Sequence, residues 1–95
     1  MRFEWANKKN KENINKHGVS FEEAQEVFCD PLHLSKLDKR FGYLEERWIT
    51  VGSTGNGEIV VAANLFFDSE GEEVIRIISA RRATSRERKQ YETYE

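Results

Sequence analysis

The chain has 95 residues, 38% of them hydrophobic and 12% aromatic, with a formal net charge of −2 and one cysteine. That suits a single small domain over residues 1–95 built on aromatic anchors, and it excludes a disordered chain, an intramolecular disulfide and an enclosed cofactor pocket. Any site should then be an open cleft that takes a large substrate. No stretch approaches the roughly 18 apolar residues of a membrane span and no apolar signal segment follows Met1, so a cytoplasmic location off the membrane is expected.

Phe3 and Trp5 suit a very short strand. Asn7 to His17 reads as a helix closed by Gly18, whose freedom to adopt a left-handed backbone ends helices. Lys9, Asn13 and Lys16 share one of its faces and Asn10, Ile14 and His17 the next, with Ile14 the one aliphatic anchor, so this helix belongs at the domain edge. Ser20-Phe21-Glu22-Glu23 is a capping box, and the helix it starts runs to about Cys29 with Phe21, Ala24, Val27 and Phe28 as its apolar stripe. Cys29 reads as a small buried hydrophobe at the end of that helix. Asp30-Pro31 stops it.

Beyond Pro31 the period shifts toward two. Leu32 to Leu37 is a candidate first strand. Glu46 to Val51 alternates, with Arg47, Ile49 and Val51 on one side and Trp48 and Thr50 on the other. A turn over Gly52–Gly57 leads into a nearly continuous apolar strand from Ile59 to Phe67, and a second turn, Asp68 to Gly71, into Val74 to Ala80. These short connections make antiparallel neighbours. A last helix, capped by Thr84 and Glu87, extends to about Tyr94. The expected fold is α+β: two N-terminal helices, an antiparallel sheet of three to four strands and a C-terminal helix, in two layers.

The small net charge conceals a segregation. Residues 1–17 carry five basic and two acidic side chains, residues 18–75 four and twelve, and residues 76–91 six and one. If folding brings the two ends together, a basic patch forms on an acidic body and can hold backbone phosphate; otherwise these are ordinary solvated faces. No His/Cys cluster has metal-ligand spacing. The pairs Glu45-Glu46 and Glu72-Glu73 have the chemistry to bind magnesium, but adjacent acids are also common surface features. No cofactor and no metal is expected. What remains is His, Lys, Arg, Glu and Tyr. That set suffices to cleave RNA, which carries its own nucleophile in the 2′-hydroxyl and needs only a base, an acid and cations around the phosphorus.

Three stretches carry a resemblance to a known family: Asn13-Ile14-Asn15-Lys16-His17-Gly18-Val19-Ser20-Phe21-Glu22-Glu23-Ala24, then Glu45-Glu46-Arg47, then Arg76-Ile77-Ile78-Ser79-Ala80-Arg81-Arg82-Ala83-Thr84. With Trp5 before them and Glu87 and Tyr91 behind, the chain resembles the BrnT toxins. The resemblance implies a fold like that of RelE-type ribonucleases, an endoribonuclease that lowers translation as the toxin of a bacterial toxin–antitoxin pair, and inhibition by a DNA-binding antitoxin, BrnA. Two positions depart from the family pattern. Ala6 stands where an acid usually follows the Trp, and Asn64-Leu65-Phe66-Phe67 replaces a Tyr-Thr-Glu-Arg-like stretch.

On that reading the catalytic candidates are His17, Arg81, Lys16, Glu46 and Arg47. As an imidazole, His17 suits an acid or base, although a histidine at a helix C-terminus also complements the dipole, as does Lys16. Arg81, whose planar fork matches two phosphate oxygens, falls by alternation on the face of Ile75, Ile77 and Ser79. Arg76 falls on the opposite face with Val74 and Ile78, so one of these two arginines should have a structural partner, with the acid of Glu46-Arg47 a candidate. Arg76, Arg82, Arg86, Lys9 and Tyr91 are candidates for holding RNA, Tyr91 either by stacking on a base or simply by anchoring its helix. The rival class is a non-catalytic module whose basic ends bind RNA, DNA or an acidic protein.

Overall fold

A computed structural model describes residues 1–40 and 45–93. In chain order it contains β1 (Arg2–Glu4), α1 (Asn7–His17), α2 (Phe21–Ala24) continuing as a 3₁₀ turn over Gln25–Cys29, β2 (Leu34–Leu37), β3 (Trp48–Ser53), β4 (Ile59–Ser69), β5 (Glu72–Arg82) and α3 (Ser85–Thr93). The expected end of the last helix at Tyr94 lies outside the described residues.

The α+β class is as expected, while the sheet is larger and mixed. Five strands lie in the order β1-β5-β4-β3-β2. β2 to β5 are antiparallel neighbours, but β1 adds a parallel edge, pairing Arg2 with Val74 and Glu4 with Arg76. β4 and β5 form a long hairpin about Glu70-Gly71, whose φ angles of 53° and 81° suit the right-handed twist of paired strands.

β5 contains one extra residue. Ala63 pairs with Ser79 and the next residue, Asn64, with Ile77, so Ile78 is a bulge. Below it Ile75 and Ile77 face the α1/α2 layer; above it Ala80 takes over that face, and all three join the core with Val60, Ala62, Phe21 and Val27. Strict alternation placed Arg81 with Ile75 and Ile77. The bulge reverses this and puts Arg81, paired with Val61, on the face away from α1 and α2.

α1 is docked by amides rather than by its aliphatic residue. Ile14 is 43% exposed, while Asn10 and Asn13 are buried. Asn13 Nδ2 donates to the carbonyls of Val19 (2.8 Å) and Ala80 (2.9 Å), and its Oδ1 accepts from the Ala80 amide (3.1 Å). The side chain thus satisfies both main-chain groups of Ala80 on the edge of β5 beyond the reach of β1. Asn10 bridges Glu22 and the Phe21 amide at the start of α2. Ser20 and Glu23 form the expected capping box there. At the far end the 3₁₀ turn brings residues three apart into register, so Cys29 lies beneath exposed Glu26. Cys29 is therefore exposed rather than buried as expected.

The two-layer expectation also needs amending, because α3 lies across the face opposite α1 and α2. Tyr91 is 3% exposed, and its hydroxyl donates to Asp30 Oδ2, which also accepts from the Ser53 amide. At the other end Arg81 donates to both Glu87 oxygens, at 2.6 and 2.8 Å, while Glu87 also accepts from the Thr84 amide and caps the helix. The Arg81 hydrogen bonds hold the Glu87 carboxyl at about 2, below its ordinary 4.5, against the opposing effect of burial.

Two outcomes follow from these anchors. Ala6 occupies the N-cap of α1 in an extended conformation and supplies no side-chain cap. Ala6→Asp should stabilise the fold by about 0.5–2 kcal/mol, read as a higher urea midpoint with an unchanged m-value. A carboxyl depressed in the folded state contributes stability that is full above its unfolded pKa and is lost as pH falls toward the folded one. The α3 clamp should therefore weaken between about pH 4.5 and 2, and Glu87→Gln should remove that component from an acid titration of stability.

Candidate functional site

Because β5 shifts register at Ile78, Arg76 and Arg81 emerge on the same face of the sheet although five positions separate them. The sequence reading had them on opposite faces. Arg81 heads a row with Val61 and Val51, and Arg76 a row with Leu65 and Glu4. Lys36, opposite Ile49, adds a third cation from β2. A groove of about 280 Å³ opens between α3 and the sheet, lined by Leu34, Lys36, Ile49, Val51, Val61, Glu87, Gln90 and Tyr91.

The partners of these arginines differ from the expected Glu46-Arg47 acid. Arg76 Nη1 lies 3.1 Å from Glu4 Oε2, across the β1–β5 pairing, and Arg81 is gripped by Glu87. Glu46 is exposed ahead of β3, and Arg47 is half-buried with Nη2 3.8 Å from Glu45 Oε1. The hydrogen bonds that Arg81 donates to Glu87 raise its pKa against burial, so the guanidinium stays charged. Tyr91 is placed to anchor α3, its ring buried beneath the helix.

A second basic group forms where α1 ends against β5. Arg82, next to Arg81 but on the other face, donates through Nη1 to the His17 carbonyl (3.3 Å) and through Nε to Glu58 Oε2 (3.0 Å). Gly18 has φ +70° and sits so close that an added Cβ would lie 3.2 Å from Arg82 Nη1. The half-buried His17 and exposed Lys16 thus adjoin Arg82, and Arg88 lines the depression beside it with Gly57, Glu58 and Glu92. Exposed Arg86 opens α3, while Lys9 is exposed near the start of α1. The structure therefore sets Arg82 against the main chain of His17, with Lys16 next to it in α1, and gathers Arg81 and Arg76 on the α3-side face. It does not put His17 and Arg81 on one face.

Chemically, the α1 end combines an imidazole with cations, which is a set for proton transfer beside a phosphate; the sheet face offers guanidinium forks and an ammonium for phosphate binding. Lys36 and Glu4 were missed by the sequence reading. Alternation of Leu34 with Lys36 was the available signal for the first, whereas the second requires knowing that β1 pairs with β5. Glu72 and Glu73 are successive strand residues whose side chains point to opposite faces, so they cannot chelate one ion together. Among the described residues no three His, Cys, Asp or Glu side chains gather as a metal site.

The model of a family described as ribonuclease toxin, BrnT, of type II toxin–antitoxin systems matches residues 5–87. No curated protein matches the chain. Among solved structures, the 1.1 Å crystal structure of the Brucella abortus ribonuclease toxin BrnT is similar, with a TM-score of 0.59 and 23% sequence identity over 90% of this chain and 99% of that one. At that identity the likeness speaks for the fold. The family match runs from Trp5 through Glu87 and so takes in Lys16, His17, Arg76, Arg81 and Arg82. The chain belongs to the BrnT family of ribonuclease toxins of type II toxin–antitoxin systems.

Proposed function

We propose that the chain is a metal-independent endoribonuclease of the cytoplasm that cuts RNA, lowers translation and is held inactive by a small DNA-binding antitoxin of the BrnA kind. The observation that carries this reading is the meeting of the two basic ends of an otherwise acidic chain. Arg82 at the end of β5 donates to the His17 carbonyl at the end of α1, where Lys16 precedes it, and Arg86 and Arg88 follow on α3.

In the proposed reaction a base takes the proton of the 2′-hydroxyl, its oxygen attacks the adjacent phosphorus, and the P–O5′ bond breaks. The 5′-oxygen leaves with a proton, and a 2′,3′-cyclic phosphate remains. His17 is the candidate for proton transfer, with Lys16 balancing the charge that builds on the phosphorus oxygens and Arg82 holding an adjoining phosphate. Arg81, Arg76 and Lys36 suit the backbone of the same strand as it crosses the sheet face, with Lys9 and Arg86 at the margins. Glu46 precedes β3, whose first residue pairs with Asn64 away from the Arg82 end of the sheet, so it does not share proton transfer with His17 in this scheme.

One observation favours a second reading, a binding module without turnover: all three arginines of β5 already have carboxylate partners, Glu4, Glu87 and Glu58. The two readings differ in turnover. Purified protein at substoichiometric concentration should cut RNA in excess EDTA and leave cyclic phosphate ends, and its induction without an antitoxin should arrest growth. Intact RNA and normal growth at a verified soluble level would favour the module, and activity that returns only with magnesium would overturn metal independence.

The site residues are separable by pairing cleavage assays with thermal melting. His17→Ala should lower cleavage about 10²-fold or more with little change in melting temperature. Arg82→Ala should weaken RNA binding and reduce the slope of log affinity against log salt by about one. Arg81→Ala should also loosen α3, since it strips Glu87 of its partner. Full activity in His17→Ala would remove the α1 end from the chemistry.

A further inference from the structure

We propose that Phe67 is a stacking platform for an unpaired nucleobase, flanked by arginines that hold the adjoining phosphates. This deepens the ribonuclease reading and rests on it. Phe67 lies near the end of β4 and is 40% exposed. It pairs with Val74, which pairs on its other side with Arg2, and two residues back along β4 Leu65 pairs with Arg76. The ring therefore stands on the α3-side face, one side-chain row from Arg76, or about 7 Å along the strand.

The ring lies outside the buried core cluster. Its neighbour Phe66 points to the other face and packs against Phe28 and Trp48 at 6.2 and 5.5 Å. Phe67 makes no aromatic contact among the described residues. A lone exposed apolar side chain is ordinary, and what distinguishes this one is its setting. Arg2 and Arg76 are 55% and 42% exposed, and each is held by a carboxylate of the neighbouring strand, Glu72 at 3.8 Å and Glu4 at 3.1 Å. Solvent-exposed pairs of this kind exchange partners readily, and a phosphate is an alternative acceptor for the same fork.

A flat aromatic face beside guanidiniums on an open sheet matches a ligand that alternates planar rings with anions. Single-stranded RNA is such a ligand, whereas a duplex keeps the faces of its bases stacked inside. The row that ends at Phe67 and the row headed by Arg81 are six residues apart along β4, about 20 Å, so both contacts fit within one bound stretch of several nucleotides.

The test is binding of short single-stranded oligonucleotides that the protein cannot cut, because their 2′-oxygens are methylated. One carries bases, and an abasic control of equal length keeps the phosphates alone. Phe67→Ala should weaken binding of the base-bearing strand about fivefold or more and leave the abasic strand unchanged. Phe67→Trp should restore binding, with melting unchanged in both variants. Equal affinity of Phe67→Ala and the parent for the base-bearing strand would overturn the platform, as would an equal loss on both strands. If the parent still cleaves RNA in that case, the ribonuclease reading stands and only the platform falls. A parent that neither cleaves RNA nor binds either strand overturns both. A Phe67→Ala defect confined to binding of an antitoxin would reassign the ring to a protein interface.

Discussion

One unpaired residue in β5, Ile78, decides which side chains this sheet presents together. In an uninterrupted strand, side chains an odd number of positions apart lie on opposite faces, so Arg76 and Arg81 would be divided by the sheet. The bulge resets the alternation, keeps Ala80 in the core and turns Arg81 toward α3. The helix-covered face therefore remains apolar along the strand while the other face collects the cations. A bulge adds a residue and a local bend without ending the strand, so the hairpin carries this rearrangement within its hydrogen-bonded ladder.

Much of the fold was legible because its signals are local. Gly18, the Ser20–Glu23 capping box and the Thr84–Glu87 pair each act within one turn of the helix they delimit, and each marks a real boundary. β3, β4 and β5 were visible through alternation or sustained apolar character. The strand β1 was only hinted at, since three residues carry no period and its partner is 72 positions away. The bulge left no mark on Arg-Ile-Ile-Ser, where two isoleucines in succession fit either register. α1 was misjudged for a different reason. Its buried contacts come from Asn10 and Asn13, polar residues that hydrophobic patterning assigns to solvent. The residue types of the candidate site were legible in the same partial way. Which cations share a face, and which acid holds each, depended on pairings that only the tertiary structure specifies.

α3 is fastened mainly by polar contacts at its two ends. Glu87 ties it to Arg81 and Tyr91 ties it to Asp30, with a groove of about 280 Å³ left between helix and sheet. Asp30 in turn ties α3 to β3 and to the turn before β2, because the same carboxylate accepts from the Leu32 and Ser53 amides. Burial opposes ionisation of this carboxyl, but the bonds from Tyr91, Ser53 and Leu32 outweigh it and keep the pKa below its ordinary value. The residues that frame the phosphate-binding face in the proposed reading thus also hold the last helix in place. Substitutions there are informative only when folding and binding are measured together.

The parallel pairing of β1 with β5, and the amide of Asn13 on Ala80, have a consequence for how the chain is assembled. The first strand has no partner, and the first helix only its local contacts to Val19 and the start of α2, until a segment some 67 to 72 residues later exists. Local helix caps can form early, but closing these long loops comes at the cost of chain entropy and must wait for β5. A polypeptide interrupted before β5 would have Lys16 and His17 without Arg82, and a basic N-terminal helix with no sheet edge to receive it. The basic ends become one surface only at the step that completes the fold, so an unfinished copy carries no partial version of the site.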